Sequence, residues 1–317
     1  MGPAPTMVQI LDGEKPANSD AIRVDVVPGT IWRYSGGGYV VMQLLLTEQT
    51  GEAFPALLHS LVLAPGGMTH STYEQPIPAA LRGSVATPYR GTGLPVKGGP
   101  HTYPEMAPAG LWTTPSDLDT LAIELEKEYD GTSQKILSQG MLRQMLTHQK
   151  DDWGLGFELG KDEHALRFGH GGANEGYRND WENYMGLRQG VAIMTNSDSG
   201  GEIADEYMRA VAKEYGWPDF HQTERTLAKV DAAIYARYVG TYEMPQIGKM
   251  SVTEKDGKLY VQANALGPEP IELLPESDTT FFMLASDVTF SFEKSDKPSQ
   301  TIVIQAGGQK FVAKRAP

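Results

Sequence analysis

Tyr34-Ser35-Gly36-Gly37-Gly38-Tyr39, running into Val40-Val41-Met42-Gln43-Leu44-Leu45-Leu46, is the stretch that decides the fold. The glycines allow a tight entry into a helix. The apolar run, stopped by Gly51, predicts a buried helix over residues 38–50 with a glycine just past its end. Ala53 to Val62 reads as a second helix, stopped near Pro65-Gly66-Gly67. On the N-terminal side, residues 7–33 read as extended and irregular, with a turn at Pro28-Gly29. On the other side, residues 75–108 are rich in Pro and Gly. A loop of that length inside a compact domain is usually functional or a cover over a site.

Thr114-Pro115-Ser116-Asp117 then opens a helix, with Leu118, Leu121, Ala122 and Leu125 at helical spacing. Ser138 to Leu146 is another. From Trp153 the pattern changes to antiparallel strands: Leu166–Phe168, Tyr177–Trp181 and Gly190–Asn196. A helix from Glu202 to Tyr215 covers that sheet. Residues 221–235 form a polar connector, and alternating strands begin at Tyr238, with a hairpin signal at Asp256-Gly257. The expected class is α/β (α+β): an antiparallel sheet flanked by helices, plus a small C-terminal antiparallel β-barrel-like domain.

Composition narrows the function. With 317 residues, 40% hydrophobic and 21% charged, the chain has enough apolar content for a substantial core. A net charge of −13 and the lack of Lys/Arg clusters argue against nucleic acid as a partner. The absence of cysteine excludes disulfides, thiolate nucleophiles and Cys-ligated zinc. Seven scattered histidines without a His-Glu-x-x-His pattern give no reason to expect a metal, and no cofactor motif is present. No apolar run reaches the roughly 18 residues of a membrane span. Met1–Thr6 has neither the basic nor the apolar region of a signal peptide, and the compartment stays open.

Three motifs stand in order: Tyr34-Ser35-Gly36, Ala109-Gly110-Leu111-Trp112-Thr113-Thr114-Pro115-Ser116-Asp117-Leu118, and Phe168-Gly169-His170-Gly171-Gly172-Ala173-Asn174-Glu175-Gly176-Tyr177. Together they resemble the serine β-lactamase and penicillin-binding-protein superfamily, in particular its esterase and D-aminopeptidase-like branch. The resemblance implies a family domain over residues 1–222. Val239-Gly240-Thr241-Tyr242 resembles the opening strand of the lipocalin-like domain of some members, which implies such a domain over 236–317. The family places a nucleophilic Ser-x-x-Lys upstream of the tyrosine motif, and none of the 33 residues before Tyr34 forms that pattern. The expectation is therefore a truncated, N-terminally incomplete family domain. A second copy of the chain is the expected cover for the apolar face that such a loss would expose.

The resemblance assigns Tyr34 as general base or proton shuttle. A phenol serves as a base only where a cation stabilises its phenolate, the part played by the family's lysine. Without that lysine, Tyr34 is expected to act as a hydrogen-bond donor. Gly36 occupies the motif's Asn position and supplies no side-chain amide. His170-Gly171-Gly172 matches the family's Lys-Thr-Gly strand, whose small residues let backbone groups approach a substrate. The expected catalytic residues are Tyr34 and His170. The expected substrate-binding residues are Ser35, Gly36, Gly171, Gly172, Glu175 and Trp112.

Two other stretches carry the nucleophile spacing. Ser291-Phe292-Glu293-Lys294 and Thr132-Ser133-Gln134-Lys135 satisfy the spacing in the wrong context, a strand and a turn. Ser35 gains a base only if His170 comes to it in space. The expected function is hydrolysis of esters, amides or β-lactam-like small molecules, with activity altered or lost through the absent nucleophile. The alternatives are a non-catalytic ligand-binding or scaffold protein, or a glycosidase using Glu175 with Asp180.

Overall fold

The computed structural model describes residues 4–160, 165–221, 224–244, 248–263, 266, 269–284, 286–295, 297–306 and 309–316. The chain divides into two compact units, Met1–Phe220 and His221–Pro317.

The first unit begins with α1 (Met7–Asp12), a correction to the extended reading of residues 7–33. Thr6 and Gln9 cap each other's backbone in a reciprocal box, and Gly13 ends the helix in the left-handed conformation. The sequence pattern was too short to show it: one turn and a half carries no visible apolar period. α2 (Gly36–Thr50) follows, capped by Ser35 and stopped by Gly51 at φ 70°. α3 (Phe54–Leu58) continues through a wider turn to Leu63. A single turn, α4 (Met106–Ala109), punctuates the long loop.

Gln43 explains how α2 and α4 stay together. Its buried amide donates to Pro104 O at 3.0 Å and accepts from Ala107 N at 2.8 Å. Both polar ends of the side chain are thus satisfied, as burial requires. α5 (Pro115–Tyr129) is capped by Thr114, and α6 (Gln139–Met145) by Ser138.

The sheet is β1 (Glu158–Leu159), β2 (Arg167–Asn174), β3 (Tyr177–Tyr184) and β4 (Gln189–Thr195), antiparallel throughout, in the order β1-β2-β3-β4. Phe168, Trp181, Leu142, Leu146 and Leu159 pack the core beneath it with α5 and α6. α7 (Gly200–Tyr215) lays Ala204, Met208 and Ala212 inward, with Tyr184 and Trp217 buried alongside.

The second unit is a closed eight-stranded antiparallel barrel. Its strands are β5 (Gly240–Met244), β6 (Gly248–Lys255), β7 (Lys258–Ala263), β8 (Ile271–Pro275), β9 (Thr280–Phe282), β10 (Thr289–Phe292), β11 (Thr301–Ala306) and β12 (Gln309–Arg315). β12 pairs back onto β5, which removes the free edges of the sheet. Asp256 and Gly257, at φ 55° and 72°, make the tight β6–β7 hairpin. The polar connector ends in a 3₁₀ turn, Ala232–Arg237. Alternate residues Tyr242, Val261, Phe281 and Phe290 fill the interior.

Candidate functional site

Ser35 fixes the start of α2: its Oγ accepts the Gly38 N–H at 3.0 Å. Tyr34, one residue earlier, is thereby held at the helix mouth, 61% exposed. Its ring lies 6.0 Å from the imidazole of His170 and 6.0 Å from Trp153. Trp153 in turn stacks on Trp32 at 5.3 Å and meets His170 edge-on at 5.5 Å. The two residues singled out for catalysis are thus neighbours, although 136 positions separate them in the chain.

His170 Nδ1 faces the carbonyl of Gly171. A ring nitrogen bonded to a carbonyl must carry the hydrogen, which assigns the tautomer and leaves Nε2 as an acceptor when the ring is neutral.

β1 reaches only as far as Gly169 in its pairing with β2. Among the described strands, none pairs with His170–Asn174 on that side, and Gly171, Gly172 and Ala173 are exposed. This open rail runs beside Tyr34, with the Gly171 carbonyl already met by His170 Nδ1. Beneath the rail, Arg167 binds Glu182 at 2.7 Å and approaches Asp219 at 3.3 Å. Burial pushes the Glu182 carboxyl up to about 7, with the Arg167 attraction only partly opposing it. Gly169 admits this carboxylate: a Cβ there would collide with Glu182 Oε2 and the Trp181 carbonyl.

The other expected residues fall elsewhere. Gly36 and Trp112 line a cavity of about 1100 Å³, with Gly37 and Ile22, while Tyr34 and His170 stand outside its lining. Trp112 meets Tyr177 edge-to-face at 6.0 Å. Glu175, in the β2–β3 turn, has both carboxylate oxygens engaged, one by Arg90 and one by His101 Nδ1 at 2.6 Å. Asp198 completes this network, facing Arg178 at 3.3 Å and accepting the Gly176 N–H at 2.8 Å.

The pairing of Glu175 with Asp180 as a glycosidase dyad does not form. Asp180 stands opposite Gly171, three rungs from the Asn174–Tyr177 rung that precedes the turn. That is roughly 10 Å of strand, beyond the separations such dyads use.

The spare serines are occupied structurally. Ser35 caps α2. In the threonine version of the motif, Thr132 Oγ1 donates to Lys127 O at 3.0 Å, while Lys135 binds Glu124 at 3.1 Å and Ser133 binds the same carboxylate. Ser291 lies in β10, paired with Thr280 and Val303. Sequence reasoning missed a look-alike at the start of α5. Buried Asp117 accepts from Ser71 Oγ at 2.6 Å and from the His70 N–H at 2.7 Å. Serine and histidine both bind the carboxylate there, whereas a relay needs the imidazole between the other two. Sequence reasoning also missed Arg90, His101 and Asp198; the length of the 75–108 loop was the signal for the first two.

Residues 4–214 match the family model described as Beta-lactamase, and residues 224–310 match a domain of unknown function, DUF3471. Penicillin-binding protein 4* of Bacillus subtilis (strain 168) is 21% identical over 326 residues, covering 91% of this chain and 67% of that protein. The octameric penicillin-binding protein homologue from Pyrococcus abyssi superposes with TM-score 0.55 at 20% identity, over 98% of this chain and 70% of that one. SurE superposes with TM-score 0.51 at 20% identity, over 92% and 69% respectively. The chain spans about two thirds of the length of these relatives. With the family model matched over residues 4–214, the chain belongs to the β-lactamase family, a family of serine-hydrolase type.

Proposed function

We propose that the Tyr34–His170 face is an acyl-transfer site acting on small esters, amides or β-lactam-like molecules. The observation that carries the reading is the 6.0 Å approach of the two rings beside the open rungs of β2. A substrate carbonyl laid against the open edge meets the backbone N–H of Gly171, with no Cβ there or at Gly172 in the way. Tyr34 donates a hydrogen bond to the reacting group, and His170 Nε2 accepts the proton of the attacking hydroxyl. The oxygen of that hydroxyl bonds to the acyl carbon as the bond to the leaving alcohol or amine breaks. The leaving group then takes the proton.

The attacking hydroxyl is the element that divides the readings. Among the described hydrogen bonds, none joins a serine hydroxyl to a lysine ammonium, and Ser35 Oγ caps α2. That favours, as a second reading, a ligand-binding protein that keeps the pocket without turnover. A p-nitrophenyl ester panel and a fluorophosphonate probe read by intact mass separate the two. Turnover reduced at least tenfold in both Tyr34→Phe and His170→Gln supports the acyl-transfer site. Turnover unchanged in both variants overturns it. No turnover and no adduct, with ligand-induced stabilisation, supports the binding protein.

We also infer that a second copy covers α2. Its sequence is apolar on nearly every face, the pattern of a buried helix, yet Tyr39, Val41, Met42, Leu45 and Leu46 are exposed.

A further inference from the structure

We propose that the cavity of about 1100 Å³ in the first unit binds a small molecule carrying a carboxylate. This inference does not depend on turnover at Tyr34 and His170, which stand outside the cavity lining.

The charge of the lining is the first argument. The whole chain carries −13, with 40 acidic against 27 basic residues. The cavity inverts that balance: Arg82 and Lys97 line it against one carboxylate among its lining residues, Glu105, and His101 stands with them. In a protein this acidic, such a reversal creates a local potential that selects against the molecule's own surroundings and for an anion.

His101, on the same lining, is held from one side. Its Nδ1 sits 2.6 Å from Glu175 Oε2, so that nitrogen carries a hydrogen. Glu175 is itself held by Arg90, which also faces Asp198 at 3.6 Å. The imidazole is therefore locked from behind, and Nε2 is the edge left for a ligand; it donates to a carboxylate only in the doubly protonated ring, so the permanent charges of Arg82 and Lys97 carry the attraction. Orienting one ring nitrogen through a carboxylate is how proteins fix the direction of the other. Because Arg90 already balances Glu175, that carboxylate does not cancel the cationic wall in front of it.

Gly36 and Gly37 bring the first turn of α2 to the same cavity. A 15-residue helix directs the positive end of its dipole there, with only the Gly38 N–H taken by the Ser35 cap. Its contribution adds to the side-chain charges and would not define a site alone. The apolar remainder of the lining, including Ile10, Ile22 and Trp112, suits the uncharged body of such a ligand.

Phenylacetate and phenylacetamide test this as a pair, since they share a shape and differ in charge. Isothermal titration of the intact chain should show phenylacetate binding at least tenfold tighter, weakening as salt is raised. The double variant Arg82→Gln/Lys97→Gln alters two exposed side chains and should keep the fold. It should lower phenylacetate affinity at least tenfold and leave phenylacetamide unchanged. His101→Asn should weaken phenylacetate alone by several-fold. Equal affinity for the two probes, undetectable binding of phenylacetate, or wild-type affinity in the double variant would each overturn the proposal. None of these outcomes bears on ester turnover by Tyr34 and His170, so the two readings fail separately.

Discussion

Replacing Glu182 by glutamine should flatten the pH dependence of the first unit's stability. The carboxyl is buried beneath β2, and burial holds it up to about 7 against an ordinary value of 4.5. An unfolded chain releases this proton near 4.5, whereas the folded chain keeps it until about 7. Between those values the folded state binds more protons than the unfolded one. Stability therefore falls as pH rises from 4.5 to about 7, and levels off above. At roughly 1.4 kcal/mol per unit, a span of 2.5 units corresponds to about 3 kcal/mol. Glutamine keeps the shape and a hydrogen-bond acceptor for Arg167 but has no proton to release. The five tryptophans, at 32, 112, 153, 181 and 217, all lie in the first unit, so tryptophan fluorescence follows its denaturant transition alone. Free energies from urea melts at pH 4.5, 5.5, 6.5 and 7.5 should decline for the parent chain and decline less for Glu182→Gln. Asp180, also raised by burial, is present in both proteins, so the difference reads position 182. Parallel curves would refute the claim that a buried, reluctantly ionised carboxylate supports the strand bearing His170.

Other substitutions probe other parts of the argument. Gly169→Ala should cost about 1–3 kcal/mol in the same fluorescence melt, because the methyl group meets Glu182 and the Trp181 carbonyl. Gln43→Met should cost about 2 kcal/mol by leaving Pro104 O and Ala107 N without their partner. The double change Met42→Glu/Leu45→Glu should lower the mass measured by light scattering, since charges placed on the apolar face of α2 oppose its burial against a second copy. In the barrel, the Tyr242 hydroxyl donates to Tyr238 O and accepts from Arg315, each at 2.9 Å. Tyr242→Phe should cost about 1–3 kcal/mol, read by near-ultraviolet circular dichroism of the barrel's tyrosines.

The elements that were legible in the sequence are those whose signal is local. Gly51 past an apolar run, Thr114 before Pro115, and Asp256-Gly257 between alternating segments each act through their own backbone, and each was found where expected. α1 was hidden because its stability comes from reciprocal caps and from Ile10 and Val40 packing together, not from a repeating pattern. The meeting of Tyr34 with His170 was readable only through motif order, since nothing local to either residue encodes it. For Arg90 and His101 only the length of their loop was a signal: scattered charges in a Pro/Gly-rich loop acquire individual meaning only when Glu175 arrives from the β2–β3 turn. Conversely, the pairing of Glu175 with Asp180 was plausible from spacing alone and failed once strand register set them rungs apart.

The bare rungs of β2 beyond Gly169 carry a consequence for what such a protein tolerates. A guest that borrows those rungs is gripped by its own main-chain amide or ester group, which every member of a homologous series shares. Along a pleat, neighbouring substituents point to opposite sides, so only every second one would be inspected by the wall that Tyr34 and His170 form. Breadth of choice would then be inherited from the geometry of the edge, and selectivity would have to be added by whatever closes over it.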